Sequence, residues 1–172
     1  FETRTSIPHD RTVKLGQNEV IMIEGIHSFN PVIMGDLAHR ATSIYLSVAS
    51  ALVPEKGARL EPYMLRFLRR AMRDSLFRSS PVEATLRQWN SVRRGERLYI
   101  SPYRGQADIA IDTFLPYEVN ILMERLMPVL RECRDALKDA GLAPVSDILG
   151  TISPIAYEGR IPEDSVLHEF IG

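Results

Sequence analysis

Five arginines crowd one short stretch of this chain: Arg66, Arg69, Arg70, Arg73 and Arg78. Wound as a helix at about 100° per residue, Arg66, Arg70 and Arg73 fall on one stripe, with Arg69 at its edge and Arg78 a turn further on. Arg66 and Arg70 stand four apart, as do Arg69 and Arg73. Like charges at that spacing cost a few tenths of a kcal/mol per pair. Asp74 and Glu61 are the acids nearest in sequence, too few to neutralise the row. Two readings fit. Planar, forked guanidinium donors suit phosphate, so the row is an anion site. Alternatively, it is a solvated face whose arginines pair with acids brought from elsewhere in the fold.

A second candidate is Glu24. It closes an apolar run, Val20-Ile-Met-Ile23, and is followed by Gly25. A carboxylate at the C-terminal end of a parallel strand lies on the sheet edge where α/β proteins bind ligands. In phosphoryl transfer an acid at that position holds Mg²⁺, directly or through water. A strand that ends in a solvated turn is the plainer reading of the same residues. His27 is a candidate substrate contact, or a loop histidine that bonds locally. Arginines closing over phosphates would face such a metal and supply most of the charge stabilisation.

The elements that must position these groups follow from the pattern. Residues 20–23 read as a strand buried on both faces, 41–48 as a second and 107–111 as a third. Pro31 opens a short helix to about His39. The arginine helix carries Leu65, Leu68, Met72 and Leu76 on its core face. Ser80, Pro81 and Glu83 have the pattern of N-cap, first turn and third position, so a helix should start there and stop at Gly95. Tyr117 to Met127 reads as helix, broken or kinked at Pro128 and resuming from Val129 to a stop at Gly141. One short helix is expected near 163–170, and residues 1–17 read as a hairpin or edge loop. Strands alternating with helices give an α/β fold with a mainly parallel sheet.

Composition bounds the rest. At 172 residues, 45% apolar and 25% charged, the chain is one domain of ordinary soluble composition. Its net charge of −1 conceals a segment, 59–104, with eleven arginines and four acids. A positive segment in an acidic body points to one localised anionic ligand rather than to a nucleic-acid coat. Arg93, Arg94, Arg97 and Tyr99 lack the interleaved aromatics of a stacking platform. An RNA-binding module built on 59–104 is therefore the remote reading. The single cysteine, Cys133, excludes an internal disulfide and reads as a buried thiol in a reducing, cytoplasmic setting. Four scattered histidines offer no metal-ligand spacing, and no apolar run approaches a membrane span.

Four stretches in order carry a resemblance: Glu24-Gly-Ile-His-Ser-Phe-Asn-Pro31, Arg69-Arg-Ala-Met-Arg-Asp-Ser-Leu-Phe-Arg78, Trp89-Asn-Ser-Val-Arg-Arg-Gly-Glu96, and Pro102 through Asp108. They resemble the uridine kinase / phosphoribulokinase family, and residues 161–172 resemble the end of its uridine-kinase-like branch. The resemblance implies a P-loop NTPase-like nucleoside kinase fold, a parallel sheet flanked by helices, with a helical lid at about 63–95 and a helical segment at 117–172. It implies transfer of the ATP γ-phosphate to a hydroxyl of a nucleoside or related acceptor. Carried over by residue, Glu24 matches the Mg²⁺-site acid, and Arg73 and Arg78 match lid arginines on the ATP phosphates. Ile26, Arg70 and Gln88, with His27 beside them, match the substrate side. Arg66 and Arg69 receive no role and read as surface charge.

Two departures bear on the substrate. Arg4 follows Phe1-Glu-Thr3 where a histidine is usual, and Ser79-Ser80 replaces a Gly-Arg pair. A third bears on turnover: the chain has no Gly-x-x-x-x-Gly-Lys-[Ser/Thr] phosphate loop. The family places that loop and its aspartate base upstream of Phe1, so the expectation is the C-terminal portion of a longer kinase, N-terminal part missing, inactive alone. ATP, Mg²⁺ and a small-molecule acceptor are the expected ligands, with no nucleic acid and no membrane, and with self-association left open. The alternative is a non-catalytic nucleotide-binding or regulatory protein of the same fold.

Overall fold

The computed structural model describes residues 12–157 and 159–172. Two short strands, β1 (Ile44–Ser47) and β2 (Ile109–Asp112), pair in parallel with Ile44 opposite Ile109 and Ser47 opposite Asp112. Parallel neighbours need a long crossover, and here it is helical. Two aspartates pin the register. Asp108 accepts from the Ser43 N–H at 2.8 Å and the Ser43 hydroxyl at 2.7 Å, below the strands. Asp112 accepts from the Ala49 and Phe114 N–H groups at 2.9 and 3.0 Å, above them. The Ser43 bonds hold the Asp108 carboxyl below the usual carboxylate range. At Asp112 desolvation works against ionisation, and the bonds from Ala49, Ser50 and Phe114 outweigh it. A one-residue slip would break both sets of bonds.

The run at 20–23 does not form the expected buried strand. It is irregular, with Val20 93% and Met22 90% exposed. An apolar run becomes a strand only when a neighbour takes its backbone N–H and C=O groups, and among the described residues β1 pairs with β2 alone. The strands that do form are not buried on both faces either. Tyr45 and Ser47 turn toward the helices, while Ile44, Leu46, Ile109 and Ile111 stay exposed.

The helical layer holds the core. α1 (Pro31–Met34) starts at Pro31 as expected, capped by the Asn30 side chain on the Val32 N–H, and a 3₁₀ turn continues to Arg40. α2 (Pro62–Phe77) buries Leu65, Phe67, Leu68, Ala71 and Met72 completely. Ser79, at φ 49°, turns the chain so that Arg78 and Ser80 both donate backbone N–H groups to the Asp74 carbonyl. α3 (Val82–Tyr99) then begins one residue later than expected, with Pro81 as its N-cap. It also runs through Gly95, whose helix cost of about 1 kcal/mol is smaller than the gain from packing Trp89 against Phe67 and pairing Glu96 with Arg66.

α4 (Glu118–Glu132) likewise passes through Pro128. Pro128 lies on the exposed side, next to exposed Glu124 and Arg125, while Leu126, Met127 and Leu130 anchor the inner side. The carbonyl that loses its partner at Pro128 is that of Glu124, four residues back, on the side where water can reach it. The break falls instead at Cys133, after which α5 (Arg134–Asp139) ends before Gly141, φ 71°, as expected. Cys133 is buried, and burial raises its thiol pKa. α6 (Ala143–Ile148) had no counterpart in the sequence reading, and the C-terminal helix is α7 (His168–Ile171). Among the described residues no helix is long and apolar enough to cross a membrane. The expected hairpin motif at Phe1 to Thr3, and Arg4, lie outside the described residues.

Candidate functional site: the arginine row

Leu65, Leu68 and Met72 are fully buried, as their spacing predicts, and Leu76 sits at the margin with 36% exposure. Arg66, Arg70 and Arg73 therefore line a neighbouring face of α2, with Arg69 at its edge. Their partners differ sharply. Arg66 pairs with Glu96 of α3. Its pKa is lowered, first by burial, then by Arg69 and Arg70, against the opposing influence of Tyr45.

Arg69, expected on the surface, is buried at 6% exposure. Its Nε donates to Glu118 Oε2 at 2.6 Å, Nη1 to Thr113 Oγ1 at 3.0 Å and Nη2 to the Thr113 carbonyl at 2.6 Å. The Phe170 ring covers it at 5.0 Å. Glu118 has no exposure at all. Desolvation raises its carboxyl pKa even though the Arg69 bond and charge pull the other way. The wheel contained the signal: Arg69 lies only about 20–40° from Leu76 and Leu65, so its stem starts on the core side.

Asp74 is the hub of the C-terminal half. Its carboxylate lies 3.2 Å from Arg70 Nε and 3.1 Å from Arg78 Nη1, and accepts from the Thr85 hydroxyl at 3.1 Å. The Arg70 contact is an ion pair by distance but not a directed hydrogen bond, since Arg70 Nε is buried without an acceptor in line. Arg73 differs from all of these. Its Nε, like that of Arg70, is buried with no hydrogen-bond partner among the described residues, but unlike Arg70 it has no carboxylate among them within ion-pair distance. Burial lowers its pKa first and Arg78 second, with Asp74 and Glu169 offsetting part of the effect. The pairing reading holds for Arg66 and Arg69, which are structural pairs. Arg73 is the member of the row for which no carboxylate among the described residues stands within ion-pair distance.

The other candidates lie apart from the row. Glu24 is exposed in an irregular segment, and Ile26 is 71% exposed. His27 is exposed too, and its carbonyl accepts the Asn30 N–H at 2.9 Å, a local turn bond. The Ser28 hydroxyl closes the same turn on the Gly25 carbonyl, and Phe29 packs edge-on against Tyr45 at 5.8 Å. Among the described residues no hydrogen bond or ion pair joins Glu24, Ile26 or His27 to α2. Gln88 is exposed on α3, one residue before Trp89. The structure therefore brings Arg70, Arg73 and Arg78 together around Asp74, and among the described residues no hydrogen bond or ion pair joins Glu24, Ile26 or His27 to them.

For Mg²⁺, the described residues contain no group of three His, Cys, Asp or Glu able to hold a metal ion. Glu24 is a single exposed carboxylate, and a Mg²⁺ that arrives on nucleotide phosphates is commonly held by one or two carboxylates while keeping most of its water. A hollow of about 280 Å³ lies beside β1, between Tyr45, Ser47, Tyr63, Arg66, Glu96 and Arg104. Arg93 stacks on Tyr63 at 3.6 Å on its helical side. No family model, no curated protein and no solved structure matches this chain.

Proposed function

We propose that the chain is the C-terminal portion of an ATP-dependent phosphotransferase of the uridine-kinase-like type, with a P-loop NTPase-like fold. It would move the ATP γ-phosphate to a hydroxyl of a nucleoside or related small acceptor. The observation that carries this reading is Arg73: a partly buried guanidinium beside Arg70 and Arg78, with no carboxylate among the described residues within ion-pair distance. A terminal phosphate would supply the missing anion. Phosphoryl transfer spreads charge over the equatorial oxygens of the moving group, and a fixed guanidinium gains most where that charge grows.

Each residue then has a task. Arg73 and Arg78 hold the ATP phosphates, and Arg70 with Gln88 orients the acceptor hydroxyl. Ile26 and His27 wall the acceptor side. Glu24 would hold Mg²⁺, directly or through water, and that ion would neutralise charge on the phosphates. The attacking hydroxyl would lose its proton to the aspartate base that the resembled family carries after its phosphate loop. Arg73→Ala in the intact protein should lower kcat by about two to three orders of magnitude, measured as ADP release with nucleosides and vitamin-like alcohols as acceptors. An unchanged kcat would remove Arg73 from the phosphate site.

A second reading is favoured by one sequence fact, the lack of a phosphate-loop motif between residues 1 and 172. A nucleotide-binding or regulatory protein of the same fold would keep the arginines and dispense with turnover. ATP binding without ADP release across the acceptor panel would establish it over the enzyme.

A further inference from the structure

Arg69 is poorly explained as a mere filler of space. Its guanidinium uses all three nitrogens at once, and the acceptors come from two places: the backbone and hydroxyl of Thr113, and the carboxylate of Glu118. Thr113 is the first residue beyond β2, and Glu118 is the first of α4. The third side is closed by Phe170 of α7. Thr113 is itself tied to β1, because its N–H donates to the Ser47 carbonyl at 3.0 Å. Asp112, one residue earlier, clasps the Ala49 N–H above that strand. One side chain thus references α2 to the C-terminal edge of the sheet.

Arg73 lies one turn further along the same helix and Arg70 is the next residue, so whatever fixes Arg69 fixes them. A roll of α2 by about 20° would move a side-chain tip at a radius of about 5–6 Å by about 2 Å, enough to break the Arg69 bonds. The fork geometry makes the bond set intolerant of such a roll, in a way that a lysine's point charge would not be. We propose that Arg69, with Glu118 and Thr113, is a positioning node that sets the rotation of α2 and so aims Arg70 and Arg73. The proposal rests on the phosphate-site reading of Arg73 for its purpose, although not for its geometry.

The test uses the intact protein, with Arg Nε–H resonances as the reporter and tripolyphosphate as the probe. Thr113→Val keeps both charges and nearly the same shape, Glu118→Gln removes one charge, and Arg69→Lys removes the fork. In the ligand-free protein, each folded variant should shift and broaden the Nε–H signals of Arg70 and Arg73. Each should also bind tripolyphosphate about tenfold or more weakly than the parent, as misplacements on the ångström scale do, and Arg69→Lys should not rescue. Unmoved Arg70 and Arg73 signals in folded variants would overturn the proposal. So would loss of the fold in Thr113→Val, which would make the node a plain structural support. If the parent chain ignores tripolyphosphate while the ligand-free shifts occur, the phosphate reading fails and the positioning node stands.

Discussion

Asp74 shows how much one residue decides on this helix. It is 4% exposed, yet it serves Arg70, Arg78 and the Thr85 hydroxyl at once. Removing it would leave a buried hydroxyl without its acceptor and two guanidiniums crowding Arg73. The partners are 30% and 41% exposed at the side chain, so water recovers part of the loss. Asp74→Ala should therefore destabilise by about 1–3 kcal/mol, read from the urea midpoint. A change inside the scatter of repeat measurements would mean that solvent already solvates these arginines and that the hub holds nothing. Arg73 was singled out in the sequence, but so was every arginine of the row. Only the positions of Glu96, Glu118 and Asp74 separated the paired from the unpaired.

At the scale of elements, α2 and α4 meet through a buried charge pair, and that makes their packing sensitive to pH. Burial raises the Glu118 carboxyl pKa in the folded chain. Between the ordinary glutamate range and that raised value, the folded state holds more protons than the unfolded one. Stability from this group is thus complete below the ordinary range and declines as pH rises through the folded value. Subtracting the stability of Glu118→Gln from that of the parent at each pH should give a difference that falls with rising pH over this window. A flat difference would show that Arg69 fully offsets the burial. Elements were legible where a local signal had no rival, as at Pro31 and Gly141. Gly95 and Pro128 misled because helix breakers act with about 1 and 3 kcal/mol, and the burial of Trp89 and of Leu126, Met127 and Leu130 outweighs them.

For the molecule as a whole, the weight lies in the helices, and the sheet is a two-stranded ribbon at their side. Leu68 is fully buried, whereas Leu46 is 64% exposed on the outer face of β1. The two leucines should behave differently. Leu68→Ala is expected to cost about 2–5 kcal/mol, and Leu46→Lys to stay within about 0.5 kcal/mol of the parent, both by thermal or urea unfolding. A large penalty for Leu46→Lys would show that the outer face is covered in solution. The parallel pairing of β1 and β2 was readable from two apolar runs separated by helices. Which runs pair was not, because strand formation depends on a neighbour that a linear pattern does not name.

The sequence by itself determined the amphipathic arginine helix, its apolar stripe at Leu65, Leu68 and Met72, the mixed α/β class and the parallel sense of the strands. These follow from a 3.6-residue periodicity, from short apolar runs separated by helices and from turn chemistry, which act over a few neighbours. Only the tertiary structure decided that Arg69 is buried between Glu118, Thr113 and Phe170, that Arg66 belongs to Glu96, that no carboxylate among the described residues pairs with Arg73 and that residues 20–23 stay out of the sheet. Charge pairing and strand pairing are set by groups dozens of residues away, and the physics that selects them is the cost of leaving a buried charge or a backbone donor without a partner.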